Sequence, residues 1–241
     1  MNITRFSFSN SKKSVKGFTL IELMVCIGVM MIMTTLLFSS YPDSMVRIGL
    51  ANTSHKISIL VREAQVRGSS VDSRSGMNNL NVVSGYGVYV NSLATTSLIL
   101  FADFAGTTQQ VNHIYVGNGL YDQNPVDEKD STLNLLQSFY ISNICVKNSV
   151  DLYCNSGHVN PLPTVNTTTH IDNLTISFIR PNPRPNIYIN NVISSYDEAC
   201  IEIRSPKSPV VPKEPLAGHV RAIKVSNTGF ITTSVKSCTA P

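Results

Sequence analysis

Most of the patterned residues on which enzymes depend are missing from this chain. It has no Gly-x-x-x-x-Gly-Lys phosphate loop, no Gly-x-Ser-x-Gly nucleophile elbow and no dinucleotide fingerprint. The backbone cradles and exposed nucleophiles that those motifs create therefore have no counterpart. The five histidines (His55, His113, His158, His170, His219) include no His-x-x-x-His pair, and the five cysteines include no Cys-x-x-Cys. A structural zinc site usually draws its ligands from such spacings. Acid is missing locally as well. Residues 1–17 hold Arg5, Lys12, Lys13 and Lys16 and neither Asp nor Glu, so they account for the whole formal charge of +4. The rest of the chain is formally neutral, and no basic tract persists there to attract the phosphates of a nucleic acid. Internal repeats and long low-complexity tracts are also absent.

What the chain does have is one long apolar run, Phe18 to Phe38, directly after the basic segment. Its 21 residues span roughly 30 Å as a helix at about 1.5 Å per residue, enough to cross the hydrocarbon core of a bilayer. A secretory signal peptide has a shorter apolar core, about 7–15 residues, and a small-residue cleavage site behind it. Leu36-Leu37-Phe38 is not such a site. The processing site therefore falls before the run, and the run is retained. One charge interrupts it, Glu22, at its fifth position. A carboxylate inside a membrane span costs about 2.5–3.5 kcal/mol on insertion scales, so it marks a function by default.

The string Gly17-Phe18-Thr19-Leu20-Ile21-Glu22-Leu23-Met24-Val25 resembles the N-terminal signature of type IV pilins and of the pseudopilins of type II secretion. The resemblance implies cleavage by a prepilin peptidase between Gly17 and Phe18, N-methylation of Phe18, and a helix that packs into a helical filament. It implies that Glu22 pairs with the N-terminal amine of a neighbouring subunit, which agrees with the rule that a buried charge is tolerable only when paired. It further implies a structural, non-enzymatic subunit without cofactor or metal. Its partners would be other pilin subunits, the prepilin peptidase and an inner-membrane assembly platform. The subunit would span the bacterial inner membrane once, with its head on the extracytoplasmic side.

The rest of the chain fits an α+β, pilin-like plan: a basic leader over 1–17, a helix over 18–67 with its membrane part at 18–38, and a β-rich head over 68–241. Pro42 is expected to kink or interrupt the helix. Beyond it, Ile57, Leu60, Val61 and Ala64 recur at helical spacing, with Arg62, Glu63 and Arg67 on the polar side. Strands are expected at Val82–Val90, Ser97–Phe104, Val111–Val116, Phe139–Val146, Leu174–Arg180, Asn186–Ile193, Ala199–Arg204, Val220–Ser226 and Phe230–Val235. Asn227-Thr228-Gly229 is expected to turn the last two into a hairpin. Leu133–Gln137 is ambiguous and could form a short helical turn.

Cys26 lies in the apolar run, where a free thiol is a small apolar filler. Cys145, Cys154, Cys200 and Cys238 lie in the head, and an even number in an oxidising compartment suggests two disulfides. Three pairings exist. Cys145–Cys154 closes a short polar loop and Cys200–Cys238 pins the last segment, so these are favoured.

Within the head, Ser84–Val90 with Leu98–Gly106, Leu60–Arg67 and Ile223–Ile231 are similar to the GspH/FimT-like minor pseudopilins, while the long insert over 117–173 and the proline-rich stretches depart from them. Asp122, Asp127, Glu128 and Asp130 form an acidic stretch whose spacing fits no EF-hand, and a solvated loop is expected. A DNA-uptake pilin is the alternative function. Its basis is a mild basic bias at Arg204, Lys207, Lys213, His219, Arg221, Lys224 and Lys236, but aromatic residues to stack on bases are nearly absent there.

Overall fold

Nearly all of the apolar run enters one helix, α1 (Leu20–Ser69). Its start is capped by Thr19, whose Oγ1 accepts from Glu22 N at 3.3 Å and whose carbonyl accepts from Leu23 N at 3.2 Å. Glu22 lies in the first turn and Arg67 in the last, which suits the helix dipole at both ends. The computed structural model describes residues 17–70, 83–104, 110–111, 114–115, 117–123, 128–136, 138–149, 151–155, 171–182, 184–206 and 218–238. It divides into two compact units, Met1–Ser44 and Met45–Pro241.

In the first unit the helix presents every residue from Leu20 to Phe38 to the outside. The expected interruption at Pro42 does not occur, because α1 runs through it. Proline forfeits one N–H bond and crowds the preceding turn, yet the helix continues on both sides of it.

In the second unit α1 buries Ile57, Leu60, Val61 and Ala64, the stripe expected from their spacing, and Leu50 as well. Around it lie two main antiparallel sheets. The first has the order β10-β9-β8-β1-β2-β5 and the second β13-β12-β11-β6-β7. The strands of the first are β1 (Val83–Asn91), β2 (Ser97–Phe104), β5 (Lys129–Asn134), β8 (Asn173–Ile179), β9 (Pro185–Ile189) and β10 (Val192–Ile193). Those of the second are β6 (Tyr140–Lys147), β7 (Leu152–Cys154), β11 (Glu198–Arg204), β12 (Val220–Ser226) and β13 (Ile231–Ser234). A separate two-stranded sheet joins β3 (Gln110–Val111) to β4 (Ile114–Tyr115). One apolar core draws Ile57 and Val61 from α1, Val88 and Ile176 from the first sheet and Ile144, Ile201 and Ile223 from the second. Each such side chain contributes about 1.5–3 kcal/mol on burial.

Two expected strands and one expected turn differ from the structure. Val111–Val116 resolves into the short β3 and β4. Asn186–Ile193 is a hairpin rather than one strand: Asn190 and Asn191 take φ of 51° and 62°, and Ile189 then faces Val192. Consecutive left-handed residues make the tight turn whose twist suits a hairpin, and asparagine tolerates that region. Leu133–Gln137 is not a helical turn among its described residues, since β5 extends to Asn134 and pairs Leu133 with Leu98. The turn after β12 is as expected, with Gly229 at φ 83°.

Candidate functional site

Gly17, Phe18 and Glu22, the residues expected for processing and assembly, lie at the start of the exposed apolar segment. Gly17 and Phe18 precede the first helical turn, both exposed, and Glu22 lies within that turn. No hydrogen bond or ion pair reaches the Glu22 carboxylate among the described residues. The remaining polar side chains of the run satisfy themselves. Thr34 Oγ1 donates to Met30 O at 2.9 Å and Thr35 Oγ1 to Ile32 O at 2.8 Å. Such back-bonding leaves no unmet hydroxyl donor for lipid to reject. By length and composition the helix is able to cross a membrane. Glu22 is thus the one group whose charge the segment itself does not answer. The basic residues of 1–16 lie outside the described residues.

One signal at this end went unread in the sequence. Thr19-Leu20-Ile21-Glu22 has the Thr-x-x-Glu spacing of a capping box, and Thr19 does accept from the Glu22 N–H. The cap gives Thr19 a local role, and the dipole gives a modest local reason for acid at Glu22. Neither neutralises a full charge in hydrocarbon.

In the head, the four cysteines gather in one buried cluster with Ala222. Disulfides join Cys145 to Cys154 and Cys200 to Cys238. Beside them Glu202, fully buried, accepts from Arg204 Nε at 2.7 Å, Ser142 Oγ at 2.6 Å, Cys238 N at 3.0 Å and Ser237 Oγ. Burial raises its pKa, but the bonds from Ser142 and Ser237 and the Arg204 charge outweigh it, so the carboxyl stays below its ordinary value.

The acidic stretch is not the solvated loop expected. Glu128 is buried and accepts from Phe104 N and Asp122 N, each at 2.9 Å. Burial, with the Asp103 and Asp122 charges adding to it, lifts its carboxyl to about 8. The neighbouring Asp103 accepts from Ser84 Oγ at 2.7 Å and Gly119 N at 3.0 Å, and burial still lifts it to about 6. Asp130 instead pairs with Arg67 at 2.8 Å. The Glu128 carboxyl ties Asp122 to the end of β2, a role that the run of acids could not show because its partners are backbone amides. Asp127 lies outside the described residues. Among the described residues no group of three or more His, Cys, Asp or Glu is placed to hold a metal ion.

The basic bias is also partly consumed by the fold. Arg204 is committed to Glu202, Lys224 pairs with Glu198 at 3.3 Å, and His219 is buried against Ser205 Oγ at 2.9 Å. Lys207 and Lys213 lie outside the described residues, as do His113, His158 and His170.

Over residues 12–38 the chain matches a family model described as the prokaryotic N-terminal methylation motif. No curated protein and no solved structure matches it. The matched segment holds Gly17, Phe18 and Glu22 and stops where the apolar run stops. It supports a type IV pilin-like, membrane-anchored subunit that a prepilin peptidase processes and that assembles with other pilins, and this class is structural rather than enzymatic.

Proposed function

We propose that this protein is a minor pilin or pseudopilin of a type II secretion or type IV pilus filament. A leader ends at Gly17, and the new amino terminus at Phe18 is N-methylated. The subunit waits in the bacterial inner membrane with its head outside the cytoplasm, and an assembly platform then draws it into the filament. The observation that carries this reading is the solitary Glu22 on an otherwise apolar, fully exposed helix inside the matched motif. An unpaired carboxylate in lipid is costly, and the amine of a neighbouring Phe18 is a counter-charge of the right sign. Helix packing supplies the bulk of the association, and the ion pair sets the register between neighbours. Resemblance of the head to GspH/FimT-like subunits supports a minor rather than a major role.

Co-expression with a prepilin peptidase tests the reading. Intact mass should fall by residues 1–17 and rise by one methyl group on Phe18. Glu22→Leu should be cleaved normally yet enter filaments poorly, measured as the sheared fraction relative to the parent. Normal incorporation of Glu22→Leu would remove the role given to this carboxylate.

A further inference from the structure

The end of the head at which α1 enters carries large apolar side chains that the fold leaves bare. Gly49 lies against the Phe139 ring, which a Cβ on the glycine would meet at 3.0 Å. Phe139 N donates to Leu136 O at 2.8 Å, Leu135 N to Thr96 O at 2.8 Å, and Ile141 N to Thr95 O at 2.7 Å. These bonds fasten the β1–β2 turn and the 135–139 loop to one place beside α1. Asn91 fixes the turn itself, its Oδ1 accepting from Leu93 N at 2.8 Å and its carbonyl from Ala94 N at 3.1 Å. Leu135 and Phe139 face the core, whereas Leu136 is 55% exposed and Leu93, at the tip, is 88% exposed. Met45 and Ile48 on α1 are exposed at the same end.

A hairpin tip facing water normally carries Gly, Asn, Asp or Ser, and several bare apolar side chains at one end mark a contact surface. The covalent chain points to the occupant. Met45 follows Phe38 by seven residues, which reach at most about 25 Å even when fully extended. Whatever the angle between the two units, that end of the head remains tethered near the bilayer, where even a weak contact acts at high effective concentration.

We propose that this end of the head docks on the interfacial layer of the bilayer, with Leu93 and Leu136 inserted beside the acyl chains. The proposal rests on the membrane-anchored reading above. It describes the subunit before assembly, and extraction into a filament has to undo the contact.

The chain has no tryptophan, so Leu93→Trp, Leu136→Trp and the control Phe230→Trp each carry a single reporter. Phe230 adjoins Gly229, whose carbonyl accepts from Gln65 near the far end of α1. The full chain is reconstituted in phosphatidylcholine vesicles with and without brominated acyl chains. Blue-shifted emission and severalfold quenching for Leu93→Trp and Leu136→Trp, with neither for Phe230→Trp, are expected. Chain that floats with the vesicles but shows no quenching at Leu93→Trp overturns the docking and leaves the anchor standing. Failure to float overturns the anchor itself. A blue shift without quenching means that another protein copy covers the leucines, and equal quenching at Phe230→Trp means indiscriminate adsorption. Either result overturns the proposal.

Discussion

Cys145 has a cysteine on each side. It faces Cys154 across β6 and β7, and Cys200 across β6 and β11. Spacing along the chain leaves three pairings because it carries no information about register, and directly opposed residues on antiparallel strands share one face. The neighbouring Cys200 makes the pairing exchangeable. In Cys154→Ser, the freed Cys145 thiolate should attack Cys200 Sγ, forming Cys145–Cys200 and releasing Cys238 as thiolate. Non-reducing peptide mapping should therefore find both bonds in the variant. Finding Cys200–Cys238 alone would mean that the two strands hold their sulfurs apart. Glu22 shows the opposite case. Its type and position were plain in the sequence because a single charge in an apolar run needs no tertiary context, while Glu128 became legible only once Phe104 and Asp122 were placed around it.

Among the elements, α1 and the strands rich in β-branched residues announce themselves, and β5 does not. Lys129–Asn134 has a single aliphatic side chain, Leu133, and reads as loop. It is a strand because β2 has a free edge there and backbone pairing asks little of side chains, which is why charged and polar residues suit an edge. The Asn190-Asn191 turn was visible as a dipeptide but lost inside a run of apolar residues. At the other end of α1, the helix runs past the expected end at Arg67 and takes in Gly68. It is still helical and buried, and a Cβ there would come within 2.8 Å of Phe178 Cβ. Helix propensity alone favours Gly68→Ala by about 1 kcal/mol. The collision should win, lowering stability by about 1–3 kcal/mol. Urea unfolding of the full chain in non-ionic detergent reads the sign directly, and a raised midpoint would show that β8 yields.

At the scale of the whole molecule the buried carboxyls set the response to pH. Asp103 and Glu128 titrate at about 6 and about 8, against about 4 in an unfolded chain. A raised carboxyl pKa stabilises the head fully below about pH 4, and that contribution is lost as pH rises through the folded values. Glu202 has the reverse sign, since its carboxyl is held below the ordinary value, and its contribution is lost as pH falls. The melting temperature should therefore decline from about pH 5 to about pH 9, and Glu128→Gln should flatten the upper part of that slope. Circular-dichroism melts across this range check it, and an unchanged slope would mean that Glu128 is ionised without strain. Glu202 also ties the last described residues of the chain to β11. Its partners Ser237 and Cys238 lie 35 and 36 residues downstream, where Cys238 is also bonded to Cys200. Truncation before residue 237 removes both partners and the Cys200–Cys238 bond, so limited proteolysis should cut β11 faster than in the full chain, and equal rates would mean that Ser142 and Arg204 alone hold the carboxylate.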